Sequence, residues 1–326
     1  MKVIMVAFAI SFLWILYTRG FPTSIADPAE RVLDAAAGAG ADAAESSPAS
    51  PDGVVFTVPG VTEIADLNGD PVDPDLTVFF GGNQFMALPE LIAAFQKKHP
   101  EVRNIFYETL PPGIIEKQLK SGRLTMGNLT ISARPDLFVA GKELTGELER
   151  DGWVEPPRPY MKNRLAIMVA AGNPKAIRTY ADLGRDDVRV SMPNPQTEGV
   201  AEKIMTGMEQ FGGQALVRRV MELKQEDGST FVTQIHHRET PQRILAQQSD
   251  AGPVWETEVL YQLRIGSPVE RVAIEDRYNV SGTTAAAILK NAPHRRAAEL
   301  FLEFITGAEA ARIYQGYGFT PLHAGE

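Results

Sequence analysis

From Leu76 onward, short apolar runs alternate with segments whose apolar residues recur every three or four positions. Runs with the length and composition of buried strands fall at Leu76–Phe80, Asn104–Glu108, Asp136–Ala140, Leu165–Ala170, Val188–Met192, Gly252–Trp255 and Val272–Ile274. The intervening spacing predicts helices over Pro89–Lys98, Gly113–Ser121, Val200–Phe211, Ala215–Glu222 and Pro241–Gln248. Two more are predicted at Arg295–Thr306 and Ala308–Tyr314. This alternation predicts an α/β protein whose sheets are mostly parallel and flanked by helices. The polar, Pro-rich stretch Glu155 to Tyr160 and the region Gln262 to Val269 read as crossings between two lobes. Lobe 1 then comprises residues 76–163 and 265–326, lobe 2 comprises residues 164–264, and a ligand cleft lies between them.

Four strand-to-helix junctions are candidates to face that cleft. The first follows Val78, Phe79 and Phe80. Gly81 and Gly82 allow a sharp turn, Asn83 and Gln84 supply amides, and a helix runs on to Lys97, Lys98 and the stop at Pro100. A helix start behind such a turn presents backbone N–H groups and the positive end of its dipole. The second junction runs from Glu108 and Thr109 through Pro111 and Pro112 to Gly113. The third carries Thr197, Glu198 and Gly199, and the fourth runs Gln234-Ile235-His236-His237-Arg238-Glu239-Thr240-Pro241, with Thr240 read as N-cap. In open α/β sheets, ligands bind beyond the carboxyl ends of the strands. Each residue also has a plainer role. His236 and His237 are adjacent and point apart on a regular element, Glu239 suits a salt bridge, and Trp255 at a strand end suits a core.

The amino terminus changes the compartment. Lys2 precedes an apolar stretch from Val3 to Tyr17, short for a membrane span and suited to an export signal, with Ser24-Ile25-Ala26 as a cleavage site. Residues 1–26 are therefore expected to be a signal peptide or an uncleaved membrane anchor, placing the rest in the periplasm or otherwise outside the cytoplasm. Residues 27–75 read as linker and lead-in: Ala35 to Gly53 is small and of low complexity, and Val54–Val58 is one short strand candidate.

With a net charge of −9 and no basic stretch, the chain is a poor nucleic-acid binder. It has no cysteine, which excludes disulfides, thiolate metal sites and a lipidated N-terminal cysteine. No nucleophile elbow, HExxH, phosphate loop or dinucleotide fingerprint is present. Thr283 and Thr284 lie near Ser281 and Gly282 without a base to activate them. No catalytic residue, cofactor or metal is expected, although Glu108, His236, His237 and Glu239 leave a metal-dependent enzyme as an alternative.

The closing segment Ala297 to Pro321, AAELFLEFITGAEAARIYQGYGFTP, resembles the ending of periplasmic molybdate-binding proteins of ABC importers. Leu76–Lys98, Arg134–Phe138 and Asp250–Trp255 are similar to that family in order and spacing. The resemblance implies a two-lobed type II periplasmic binding fold that closes on ligand like a hinge, no enzymatic activity, and delivery to an ABC permease by what is expected to be a monomer. Carried onto this sequence, it places the ligand against Asn83 and Gln84, Thr109 to Gly113, Thr197 to Gly199, Glu239 and Thr240, with Trp255 where the family has a tyrosine. The family's serine hydroxyls are absent from the first two loops, and Glu108 and Glu239 add negative charge. A molybdate- or tungstate-type oxyanion, a protonated anion, and a small organic or metal-containing ligand all stay open. So does a membrane-tethered sensor of the same fold that signals to a kinase.

Overall fold

The computed structural model describes residues 66–322 apart from 127, 128, 235 and 237. The export segment, the low-complexity linker, the strand candidate at Val54–Val58 and His237 lie outside the described residues. Among the described residues no helix is long and apolar enough to cross a membrane.

The chain enters a first sheet through β1 (Leu67–Asn68), β2 (Leu76–Phe80) and, after helix α1 (Leu88–Lys98), β3 (Ile105–Glu108). Helix α2 (Pro112–Ser121) leads to a small hairpin, β4 (Leu124–Met126) with β5 (Leu129–Ile131). Then come β6 (Leu137–Gly141), α3 (Lys142–Arg150) and β7 (Arg158–Asn163). One residue later the backbone starts a second sheet with β8 (Leu165–Ala170), followed by α4 (Tyr180–Leu183), β9 (Val190–Met192) and α5 (Gly199–Arg218). β10 (Thr230–Val232), α6 (Glu239–Leu245), β11 (Ala251–Trp255), α7 (Glu256–Arg264) and β12 (Val269–Ala273) complete that lobe. β13 (Gly282–Ile288), α8 (Arg295–Ile305), α9 (Ala308–Gly316) and β14 (Thr320–Pro321) return to the first.

The sheets have strand orders β1-β3-β2-β6-β13-β7-β14 and β10-β9-β11-β8-β12. Both are mixed rather than mostly parallel. The β3-β2-β6 and β10-β9-β11 triplets are parallel, whereas β8 and β13, the strands that leave and re-enter a lobe, pair antiparallel with their neighbours. β12 pairs with β8. The return to the first sheet therefore falls after Ala273, later than the expected position near residue 265.

Period-two alternation explains why β2 is buried along its whole length. Val78 and Phe80 face one core layer with Leu91, Phe95 and Phe301, while Phe79 faces another with Phe106 and Phe138. A sheet covered on both faces demands a continuous apolar run, and the run is what made the strand legible. In the second sheet, Leu165, Ile167 and Val169 pack against Ile204 and Met208 of α5, and Ala166 and Met168 pack against Ile244 and Val259. α5 is broken at Gly213, which sits at φ 70°, where the two-helix reading placed a gap.

The two passages between lobes lie side by side. The Asn279 side chain accepts from the Leu165 N–H (2.9 Å) and donates to the Leu165 carbonyl (2.8 Å), pinning the return passage to the outgoing one. Asn163 Nδ2 donates to Thr257 Oγ1 at 2.9 Å.

Glu108, a sequence candidate for ligand contact, is instead enclosed beneath α2. Gln118 Nε2 donates to Glu108 Oε1 at 2.7 Å, while Glu108 Oε2 and Gln118 Oε1 have no partner. Burial pushes the carboxyl up to about 8, partly offset by the bond from Gln118. Between the ordinary value of 4.5 and about 8 the folded chain thus holds a proton that the unfolded chain has released, so stability falls as pH rises through this window. Glu108→Gln is expected to remove that component, which has a limiting slope of about 1.4 kcal/mol per pH unit, from urea-unfolding free energies measured across the window. Phe301→Ala, which empties the ring contacts to Phe80 and Phe95, is expected to cost about 3–5 kcal/mol in the same measurement.

Candidate functional site

A cavity of about 250 Å³ lies between the two sheets and is lined from both. The first lobe contributes Gly81, Gly82 and Asn83 after β2, Pro112 and Gly113 at the start of α2, and Gly141 and Glu143 at the start of α3. The second contributes Thr197, Glu198 and Gly199 ahead of α5, Lys203 within it, and Trp255 at the end of β11. Helix starts reach this place because each follows a strand that ends at the cleft. Thr283 and Thr284 at the start of β13 also line it.

The lobes touch across the cavity mouth. The Gly113 N–H donates to the Thr197 carbonyl at 2.9 Å, a backbone bond between lobes. Only glycine allows it, since a Cβ at residue 113 would lie 2.9 Å from Thr197 Cα and 3.1 Å from its carbonyl oxygen. Lys203 Nζ reaches Glu143 Oε1 at 3.3 Å. At Gly282, a Cβ would meet the Trp255 ring at 2.4 Å, so the return strand passes directly against the indole.

Beneath the Gly82 turn sits a buried charge network that joins the lobes. Arg238 Nη2 pairs with Asp66 Oδ1 and donates to the Thr109 carbonyl at 2.7 Å, and its guanidinium lies over the Phe85 ring, 4.7 Å from the centroid. His236 Nε2 is 3.1 Å from the same Asp66 oxygen, and Arg238 Nε donates to His236 Nδ1 at 3.2 Å. Asp66, His236 and Arg238 are all buried. Burial works to raise the Asp66 carboxyl, but the hydrogen bond from His236 and the charge of Arg238 outweigh it and hold the group below its ordinary value. Gly82 admits this arrangement: a Cβ there would stand 2.8 Å from the Thr109 oxygen and 3.1 Å from His236 Cε1.

Of the sequence candidates, Gly82, Asn83, Gly113, Thr197, Glu198, Gly199 and Trp255 line the cavity. Gln84, Glu108, Thr109, Glu239 and Thr240 are held elsewhere. Gln84 Oε1 accepts from Tyr160 (2.6 Å) and Tyr314 (2.7 Å) inside the first core. Thr109 Oγ1 donates to Asp66 Oδ1 at 3.2 Å. Glu239 Oε1 accepts the N–H groups of Gln234 (2.9 Å) and His236 (3.2 Å), and Thr240 Oγ1 bonds Ser191 Oγ at 2.9 Å. Thr240 lies in the first turn of α6, whose N-cap is Arg238. The fourth junction therefore braces the cleft from behind instead of facing it. His236 is committed to the buried network, and among the described residues no three His, Asp or Glu side chains form a group able to hold a metal.

The α3 contribution was missed in the sequence. Leu144 and Leu148, spaced by four behind Gly141, carried the signal, but a nine-residue helix with a mid-helix glycine gives a weak pattern. Lys203 lies on the helix of the third junction, one turn inside it.

The fold and cleft have counterparts among known proteins. Molybdate-binding protein ModA of Mycobacterium tuberculosis (strain ATCC 25618 / H37Rv) is 26% identical over 163 residues, covering 50% of this chain and 56% of that protein. The chain spans about half the length of the molybdate- and sulfate-binding curated relatives it matches. The sulfate-binding protein SubI from Mycobacterium tuberculosis H37Rv superposes with a TM-score of 0.62 at 20% identity, over 76% of this chain and 87% of that one. The periplasmic binding protein AfuA from Actinobacillus pleuropneumoniae, solved with fructose-6-phosphate, gives 0.60 at 13% identity, over 76% and 84%. The family model of bacterial extracellular solute-binding proteins matches residues 76–320, the span that holds the second sheet, the first sheet apart from β1 and the last residue of β14, and every residue lining the cleft. The chain belongs to that family.

Proposed function

We propose that this protein captures a small anionic solute in the interlobe cleft and delivers it to the permease of an ABC importer. The observation that carries the proposal is a cavity walled by helix starts from two lobes that are bridged across its mouth by the Gly113–Thr197 backbone bond. Such a site gains affinity from closure, because a solute that touches both walls binds the closed form better than the open one. Two passages pinned at Asn279 form the hinge. The first turns of α3 and α5 leave N–H groups without intrahelical partners and direct them at the cavity, which suits an anionic group. Relatives named for molybdate and sulfate support an oxyanion or a molecule bearing one. The apolar segment Val3 to Tyr17 fits export. Binding and release, rather than chemical conversion, is the proposed role.

A melting-temperature screen of the purified chain against molybdate, tungstate, sulfate, phosphate, small carboxylates and phosphate esters tests this. At a hundredfold excess over Kd, a bound solute stabilises by about 2.7 kcal/mol, and no stabilisation by any compound would contradict the proposal. Gly113→Ala separates closure from folding. Alanine suits the start of α2, but its Cβ collides with Thr197 only when the lobes meet. The variant is expected to keep a cooperative melting transition and to bind the solute found in the screen at least about tenfold more weakly, a loss of about 1.4 kcal/mol, by titration calorimetry.

A further inference from the structure

Four carboxylates and a single ammonium line the cavity among the described residues: Glu143, Glu147, Glu198 and Glu202 against Lys203. Lys203 is already paired with Glu143. Glu198 is buried in the wall, its Oε1 accepting from the Asn194 N–H (3.0 Å) and from the Thr233 hydroxyl (2.5 Å). The helix starts are also partly committed. α2 begins Pro111-Pro112, which have no N–H, and its next one, Gly113, bonds Thr197. α3 and α5 carry Glu143 and Glu202 in their first turns, so each dipole is offset by a charge of its own helix. An inorganic dianion stripped of water would meet the hydroxyls of Thr197, Thr283 and Thr284 and the amide of Asn83, but also four carboxylates against one ammonium that is already paired.

Part of the wall is apolar. Trp255, Leu144 and Val200 face the cavity. Its volume of about 250 Å³ lies just under the range of about 300–1,000 Å³ common for organic ligands. It equals about eight water volumes at ~30 Å³ each, more than a single atom with its oxygens fills. Resting on the solute-binding role proposed above, we infer that the solute is a small organic molecule with one anionic group. Its carbon skeleton lies against Trp255, and a donor-bearing end, hydroxyl or ammonium, faces Glu147 and Glu202. These two carboxylates are exposed at the rim in the unliganded chain and accept hydrogen bonds once closure excludes water.

Matched probes test the inference by titration calorimetry on the full chain. Glycerate and β-alanine are compared with propionate, glycerol phosphate and phosphoethanolamine with ethyl phosphate, and all of them with molybdate and sulfate. At least one donor-bearing probe is expected to bind tenfold or more tightly than its donor-free mate and than either inorganic ion. In the double variant Glu147→Gln with Glu202→Gln, whose rim positions leave the unliganded melting temperature unchanged, that preference is expected to fall to threefold or less. Tight binding of molybdate or sulfate with no preference for donor-bearing probes overturns the inference and leaves the solute-binding reading standing. So does a preference that survives the double variant. Binding of no probe also overturns it, and the broad melting screen then decides the solute-binding reading separately.

Discussion

Arg238 is buried in the second lobe's fourth junction, and the carboxylate to which it hydrogen-bonds, Asp66, stands at the entry to the first sheet. A guanidinium removed from water needs compensation, and here the carboxylate that hydrogen-bonds it comes from the other lobe, with Glu258 and Glu198 of its own lobe adding to the favourable charge. The Thr109 carbonyl, the Phe85 ring and His236 complete its surroundings. Opening the cleft would return both charges to water, which solvates them well, so a pair of this kind comes close to breaking even against hydration. Such a balance suits a hinged binder. A contact that fixes geometry while adding little net free energy leaves the open–closed equilibrium within reach of a bound solute.

Everything above this network serves to place it. Apolar strands covered on both faces make two rigid sheets, and only two passages join them, tied at Asn279. Rigid lobes with a narrow connection put their freedom into one relative motion. Glycines sit where the two lobes come closest: Gly82 over His236, Gly113 against Thr197, Gly282 against Trp255. At each, the absent side chain is what allows contact, so these three positions tie local backbone to the closed geometry.

The sequence was most legible where physics leaves one choice. Buried central strands must be continuous apolar runs, and the expected β2, β3, β6, β8, β9 and β11 lie within a residue or two of the observed elements. β7, RPYMKN, begins with exposed polar residues at a lobe crossing, and β13, GTTAAAI, is built from small residues, so neither carried a strand-like pattern. Strand direction was not legible because it depends on pairing between distant segments. All four junctions were expected to face the cleft, and residues of the first three line the cavity. The fourth looked equivalent because Glu239 and Thr240 are polar, but their partners, Gln234, His236 and Ser191, satisfy them internally. Glu108 was misplaced for a related reason: nothing in the local sequence announces that a strand-end carboxyl is covered by Gln118 of the next helix.

The central claim, that the Asp66–Arg238 contact holds the lobes in the closed arrangement, is open to a direct distance measurement. Because the chain has no cysteine, Lys97→Cys on α1 and Glu209→Cys on α5 introduce two unique labelling sites, both exposed and on different lobes. Pulsed electron paramagnetic resonance then reads the interlobe distance without any solute. A short-distance population with Asp66 present, depleted in favour of longer distances by Asp66→Asn, which leaves Arg238 without its carboxylate in the closed form, is the expected result. Identical distributions in the two backgrounds would contradict it.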